Sequence, residues 1–165
     1  MSVLPPFEQV VETHGADVWR FAVSQVGLAR ADDVFQETML AALSAYPSLR
    51  DPGMVRSWLL RIAARKAVDV FRAQSRAPLP VEEPDPGPAP EQELSDDKLW
   101  ARVRALPTKQ RQAVALRFVV DLDYAGVGAA MDTSPAAARR NVFEALKTLR
   151  TDLAGSGGAA GTSPP

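Results

Sequence analysis

A run of prolines and acids divides this chain into two parts and limits what each part can be. Six prolines lie between positions 78 and 90, interleaved with three acidic residues. Proline removes a backbone hydrogen-bond donor and biases the preceding residue towards extended geometry, so no helix can run through this stretch. We therefore expect two folded halves, residues 1–76 and 95–153, joined by a semi-rigid, Pro-rich acidic linker over residues 77–94.

The composition favours helices over sheets in both halves. Of the 165 residues, 46% are hydrophobic but only 7% are aromatic, and alanine is abundant, which suits close-packed helices better than a large β sandwich. The absence of cysteine excludes disulfide scaffolds, thiolate metal centres and cysteine nucleophiles. The glycine-rich segment 154–165 lacks an apolar period, and we expect a disordered tail there.

Apolar runs in this chain are short. None approaches the roughly 20 residues that a helix needs to cross a bilayer, and the first residues lack a basic segment followed by an apolar one. The sequence therefore predicts a soluble, unexported protein with no membrane insertion.

Charge is unevenly distributed although the net charge is only −1. Residues 49–76 carry seven basic and two acidic groups, and residues 98–165 carry ten basic and five acidic groups. Between these blocks, residues 77–97 carry seven acids and no base. Two basic blocks indicate two surfaces for a polyanion, with solvated, purely solubilising faces as the alternative.

Apolar periodicity predicts helices in the first half. The first helix carries an apolar face from Phe7 to Ala22. His14 lies on that face, and without a second histidine we interpret it as a packed residue rather than a metal ligand. A second helix is expected to start near Asp32 and Asp33, where acids complement the helix dipole. Its apolar stripe is predicted to comprise Phe35, Met39, Ala42, Leu43 and Tyr46.

The third predicted helix has a basic side. It follows Asp51 as the cap and Pro52 in the first turn. At 100° per residue, four arginines fall within about 60° of one another, apart from the apolar face. They are Arg61, Arg65, Arg72 and Arg76. Such a row can follow nucleic acid phosphates by releasing counterions, although a solvated face has the same appearance.

The second half has the outline of a helix-turn-helix. We expect a helix ending at Leu106, another capped by Thr108, and a short helix from Tyr124 to Met131. A longer helix should follow Ser134 as the cap and extend to about Leu153, with a proline in the first helical position. This outline is typical of motifs whose second helix enters the major groove, and it also occurs in ordinary bundles.

The order of these segments resembles the extracytoplasmic-function group of bacterial RNA polymerase sigma factors over nearly the whole chain. The segment DVFQET at 33–38 resembles the core motif of region 2, and VRSWLLRIA at 55–63, continued by AVDVFR at 67–72, resembles the promoter-melting helix. Leu106–Pro107, Arg111, the segment LRF at 116–118, Tyr124 and Ser134 fall at the offsets of region 4. The resemblance implies an all-α protein with a region 2 helical bundle and a region 4 helix-turn-helix.

The resemblance also implies roles for individual residues. Those that would touch the clamp coiled coil of the polymerase β′ subunit are Asp33, Gln36 and Glu37. Region 2 residues at the promoter would be Arg56, Trp58, Arg61, Arg65, Lys66, Arg72 and Arg76. Region 4 residues at DNA would be Ser134, Arg139, Arg140, Asn141 and Lys147. Trp58 also fits the apolar stripe, so its role as core residue or base-stacking platform stays open.

Several positions depart from the family pattern. Arg65 stands where many relatives carry asparagine, so the usual base preference does not transfer. Two glycines, Gly126 and Gly128, lie inside the short helix and predict that it frays easily. Phe143, Glu144 and Leu146 occupy recognition-helix positions that are often basic or polar in relatives.

The resemblance implies a non-enzymatic, cytoplasmic sigma factor that directs RNA polymerase to promoters and helps to melt DNA. Its partners would be core polymerase at the β′ clamp and the β flap, promoter DNA, and an anti-sigma protein that could hold it at the membrane. No cofactor or metal is expected, since the acids at 32, 33 and 37 lack the further ligands of an oxygen cage. The alternative is a degenerate adaptor that binds polymerase or an anti-sigma protein without reading DNA.

Overall fold

The computed structural model describes residues 3–76 and 91–157. Residues 77–90 of the predicted linker and residues 158–165 of the predicted tail lie outside the described residues. Within the described ranges the regular structure is helical, which confirms the all-α prediction. The helices are α1 Phe7–Val26, α2 Leu28–Ala45, α3 Val55–Arg76, α4 Glu91–Ala105, α5 Thr108–Phe118, α6 Tyr124–Met131 and α7 Pro135–Gly157.

Some helix ends differ from the predicted ones. Gly27, with φ at 82°, joins α1 directly to α2, so α2 begins at Leu28 rather than near Asp32. The Thr108 cap was wrong, because Pro107 holds the cap position and no side chain caps α5. Two helices also extend into predicted irregular segments: α4 begins at residue 91 and α7 continues to residue 157. Glycine weakens a helical turn without forbidding it, whereas proline stops the helix.

The core of the first half lies between α1, α2 and α3. Phe21, Val34 and Leu59 are fully buried there. A Cβ built on Gly15 of α1 would lie 3.8 Å from the Phe35 ring, an ordinary van der Waals contact, so the packing of α2 on α1 does not depend on glycine here. The predicted stripe of α2 was wrong at Leu43, which is exposed. The buried face of α2 is shifted by part of a turn and consists of Ala31, Val34, Thr38 and Ala42.

The second half is organised around the turn between α6 and α7. The predicted packed face of α7, comprising Ala138, Val142, Ala145 and Leu149, is buried. A Cβ on Gly128 would lie 2.7 Å from the backbone oxygen of Thr133, so only glycine fits this close approach. The Asp123 side chain caps α6 by accepting from the amide of Gly126 at 2.7 Å. Gly128 therefore serves the tight turn of the helix-turn-helix, and α6 is capped at its start, while its fraying stays a prediction.

The two halves pack directly against each other, which the sequence left undecided. Helix α3 lies against α6, and α1 lies against α4 and α5. The same apolar cluster contains Leu59 from the first half and Leu116 and Val127 from the second. A polar contact reinforces it, because the side-chain amide of Gln112 donates to the carbonyl of Ala64 at 3.2 Å.

Candidate polymerase and nucleic-acid interfaces

The outer face of α2 presents the predicted polymerase-binding residues. Asp33, Gln36 and Glu37 are all exposed. The Gln36 amide donates to Asp32 Oδ2 at 3.0 Å, and Arg30 lies 3.8 Å from Asp33. These contacts stay within one helix and leave the carboxylates open to a basic partner surface.

Two leucines extend this face and were missed from the sequence. Leu40 and Leu43 are 69% and 54% exposed. They follow Gln36 at i+4 and i+7, so they lie on the same side of α2. The sequence signal was available, since an apolar residue that shares a helix side with charged groups points away from a core. We call the set Asp33, Gln36, Glu37, Leu40 and Leu43 the α2 outer face.

The arginines predicted to bind DNA lie along α3, as the helical spacing requires. Arg65, Arg72 and Arg76 are exposed, whereas Arg61 and Lys66 are half-buried. Arg61 forms an ion pair of 3.2 Å with Asp132, in the turn before α7. These cations follow one side of the helix, and the first of them, Arg61, pairs with the second half of the chain. We call the set Arg61, Arg65, Arg72 and Arg76 the α3 row.

Arg56 and Trp58 have structural contacts of their own. The Arg56 Nε donates to Asp17 on α1 at 3.1 Å, and its terminal nitrogen donates to the carbonyl of Val120 in the second half. Trp58 is half-buried, with its ring centroid 6.2 Å from that of Tyr46. It also lines a cavity of ≈ 500 Å³ beside Met54. Both residues sit at the edge of the first-half core, next to the second half.

The start of α7 is fixed as the sequence predicted. Ser134 Oγ accepts a hydrogen bond from the amide of Ala137 at 3.1 Å, and Pro135 is the first helical residue. Arg139, Arg140 and Lys147 are exposed. The Arg139 guanidinium lies 5.0 Å from the ring centroid of Tyr124, and the side-chain amide of Asn141 donates to the carbonyl of Ala137 at 3.1 Å.

The three unusual recognition-helix positions have different surroundings. Phe143 is 62% exposed, and Glu144 is also exposed. Leu146 is half-buried and packs on the cluster that contains Val103 and Leu106. Leu146 therefore belongs to the apolar packing of α7, whereas Phe143 and Glu144 are exposed on the surface.

The packing of the halves places the two candidate DNA surfaces around one cleft of ≈ 930 Å³. From α3 it is lined by Arg61, Arg65 and Arg72, and from α7 by Arg140 and Asn141. A further cation, Lys109 of α5, also lines it and was not singled out from the sequence. The outer surfaces of α2 and α7 remain open, but the α3 row faces the second half in this arrangement.

Among the described residues, no group of three or more metal-ligating side chains is placed to hold an ion. None of the described helices is both long and apolar enough to traverse a lipid bilayer. His14 is half-buried on α1, and burial lowers its pKa below the ordinary 6.5, partly countered by Asp17.

Comparisons with known proteins agree with this architecture. The family model for Sigma-70 region 2 matches residues 10–77, and the model for Sigma-70 region 4 matches residues 96–149. The chain is 32% identical to the ECF RNA polymerase sigma factor SigD of Mycobacterium tuberculosis, covering 90% of this chain and 77% of that protein. It is 27% identical to RNA polymerase sigma factor SigV of Bacillus subtilis, covering 87% of this chain and 88% of that one.

Two solved structures share the fold. CnrH in complex with the cytosolic domain of CnrY matches with a TM-score of 0.71 at 24% identity, over 90% of this chain and 88% of that one. The sigma factor RpoE in complex with the anti-sigma factor NepR, from Bartonella quintana, matches with a TM-score of 0.69 at 18% identity, over 89% and 96%. The two family models, the relatives and the two-part helical architecture agree. This chain belongs to the ECF sigma factors of the sigma-70 family, the non-enzymatic initiation factors that direct RNA polymerase to promoters.

Proposed function

We propose that this sigma factor holds core RNA polymerase with the α2 outer face and engages promoter DNA with α3 and α7 after its two halves separate. The observation that carries the proposal is the cation row of α3. It lies on the side of the helix that the first-half core does not use, and its exposed members Arg65 and Arg72 have no carboxylate within 4.0 Å among the described residues.

The α2 outer face suits a partner with basic and apolar groups together. Its carboxylates can form charge-assisted hydrogen bonds with arginines, while Leu40 and Leu43 can bury apolar area. Because each of these side chains is exposed, docking would require no repacking of the first half. The expected partner is the clamp coiled coil of the β′ subunit, with the β flap contacting the region 4 half.

We expect the halves to separate for promoter engagement, because the α3 arginines line a cleft whose opposite side is the second half, and Arg61 pairs there with Asp132. The Pro-rich acidic linker that the sequence predicts over residues 77–94 would allow this separation. Separation would expose the α3 row for phosphates and extruded bases, and Trp58 for stacking. It would also open the cleft side of α7, where Arg140 and Asn141 lie, so that region 4 can dock on a different stretch of the duplex together with the already exposed Ser134, Arg139 and Lys147. Lys66, Arg72 and Arg76 would extend the phosphate contacts of region 2.

Promoter-dependent transcription with purified core polymerase tests this proposal. Addition of the protein should produce defined start sites on fragments of the source genome. Arg61→Glu plus Arg65→Glu should abolish promoter opening, measured by permanganate reactivity, while binding to core polymerase on gel filtration persists. A matched charge change elsewhere in the first half, Arg20→Glu plus Arg50→Glu, should retain opening. Persistent opening in the Arg61 and Arg65 variant would show that the α3 row is not the melting surface.

The surface of α7 favours a second candidate function, a sigma-like adaptor, and the same transcription assay distinguishes it from the first. Phe143 and Glu144 display an apolar and an acidic group where a DNA reader benefits from cations. A sigma-like adaptor would bind core polymerase through α2 and direct no start sites. Defined transcripts from the protein would eliminate the adaptor.

The regulation we propose involves an anti-sigma partner. The RpoE structure contains the anti-sigma factor NepR, and a partner of that kind would keep the halves of this chain closed. We place the protein in the bacterial cytoplasm, or at the membrane where such a partner is anchored there, and without an enzymatic activity of its own.

A further inference from the structure

The cleft between the halves has positively charged walls on both sides. Five cationic side chains line it, three from α3 and two from the second half: Arg61, Arg65, Arg72, Lys109 and Arg140. Two carboxylates, Asp69 and Asp132, are also part of the lining. The cations exceed the acids, so positive charge faces positive charge across the cleft.

Most of this charge has no counter-ion among the described residues. Arg61 pairs with Asp132 at 3.2 Å, and its Nε is buried without a hydrogen-bond acceptor in the described part of the chain. No described carboxylate lies within 4.0 Å of the charged groups of Arg65, Arg72, Lys109 or Arg140. Like charges held on opposite walls oppose closure, and a multivalent anion between them would reverse that effect.

The shape and lining of the cleft indicate the kind of anion. Its volume of ≈ 930 Å³ lies within the range of roughly 300–1,000 Å³ that small-molecule sites occupy. Arginine forks match phosphate oxygens bidentately, which favours a chain of phosphates over a single small anion. Val68 and Met131 add an apolar portion to the lining, which could receive a nucleobase.

We propose that this cleft binds a compact polyphosphate anion that bridges α3 to the second half and holds the two halves together. Because both walls contribute cations, the complete site exists only in the closed arrangement. Binding therefore shifts the population towards closure by linkage. The site shares Arg61, Arg65, Arg72 and Arg140 with the promoter-binding surfaces of the proposed function, but it exists only before the halves separate, and its test needs neither polymerase nor promoter.

The absence of cysteine makes the test direct, because two introduced cysteines accept fluorophores specifically. Ser44→Cys on α2 and Thr148→Cys on α7 place labels at exposed positions outside the cleft lining. Titration of the full chain with sodium tripolyphosphate should raise energy transfer and saturate. Sodium sulfate at equal ionic strength should leave it unchanged. A parallel titration with ATP distinguishes the sources: tighter binding of ATP identifies a nucleotide, and equal binding identifies the phosphate chain.

Paired variants locate the site. Arg65→Gln plus Arg140→Gln removes one cation from each wall and should weaken tripolyphosphate binding by about tenfold or more. Without ligand, this variant should be more closed than the wild type, because less charge opposes closure. Arg50→Gln plus Arg150→Gln makes the same charge change outside the cleft lining and should bind within about twofold of the wild type.

Three outcomes would overturn the proposal. Equal weakening in both double variants would mean that the anion only screens overall charge. Separation of the halves on adding tripolyphosphate would mean that the anion disrupts the closed arrangement. Tighter binding of a short single-stranded oligonucleotide to the closed chain through Arg65 and Arg140 would make the cleft a nucleic-acid site instead.

Discussion

The Arg111 guanidinium donates through Nε to Gln25 Oε1 at 3.1 Å, linking the two halves of the chain. Only 2% of Arg111 and 1% of Gln25 are exposed. The Gln25 amide donates back to the Arg111 carbonyl at 3.3 Å, and an Arg111 terminal nitrogen donates to the Leu106 carbonyl at 3.2 Å. The Phe71 ring centroid lies 3.9 Å from the guanidinium carbon. This buried cation is thus held by neutral acceptors and a ring face, and its burial lowers the pKa of Arg111.

Replacing Arg111 should destabilise the packed chain. Arg111→Met keeps an apolar stem but leaves Gln25 Oε1 and the backbone carbonyls of Arg104 and Leu106 without this donor. We expect a loss of about 3 kcal/mol in the free energy of unfolding, measured by urea denaturation. Adding Gln25→Leu removes the unpaired amide as well, so the double variant should recover part of the loss. Equal stability of the single and double variants would contradict the coupling.

A second prediction concerns the turn between α6 and α7. Gly128→Ala places a methyl group 2.7 Å from the Thr133 oxygen, which is backbone and cannot move aside cheaply. We expect the free energy of unfolding, measured by thermal denaturation, to fall by about 1–3 kcal/mol. We also expect α7 to bind DNA more weakly. Gly15→Ala is the matched control, because its nearest neighbours lie at 3.8 Å. The control should be neutral or stabilising by up to about 1 kcal/mol. Similar effects of the two substitutions would contradict the steric argument.

The sequence predicted local features of the fold well. The Ser134 cap with Pro135 behind it, and the buried face of α7, depend on neighbouring residues and helical spacing. The error at Leu43 arose because the buried side of α2 is centred on Ala31, Val34, Thr38 and Ala42, which is rotated from the predicted stripe by part of a turn. The apolar periodicity of a sequence sets the direction of a helix's buried face only to within part of a turn.

The packing between the halves could not be predicted from the pattern. Gln25 and Arg111 are separated by 86 positions, and an amphipathic period does not specify which helix it packs against. The same limit applies to the cleft, because two basic blocks indicate cationic surfaces but not their mutual position. Arg111 was identified only through the family resemblance, and nothing in its neighbourhood indicates a buried cation.

The α2 outer face yields a prediction that separates binding from folding. Leu40→Ser removes an exposed apolar side chain, so the free energy of unfolding should change by less than about 0.5 kcal/mol. Affinity for core polymerase should fall by about tenfold if this leucine is buried in the complex, as measured by surface plasmon resonance. Ala73, an exposed residue of α3, offers Ala73→Ser as a control outside α2 that should leave affinity unchanged. Unaltered binding of the Leu40 variant would remove this leucine from the polymerase interface.

The lowered pKa of His14 makes the free energy of unfolding depend on pH. Burial lowers the pKa of His14 below 6.5, Asp17 opposes this shift and Arg56 adds to it. The folded chain therefore holds the imidazole neutral at a pH where the unfolded chain has begun to protonate it. Well above pH 6.5 both states are neutral at this group, and its contribution to stability is fully present; it is lost as the pH falls through 6.5 and then through the lower folded-state pKa. Between about pH 7.5 and pH 5, the wild type should lose more stability in urea unfolding than His14→Gln, whose side chain does not titrate. Parallel pH profiles would show that the histidine titrates alike in both states.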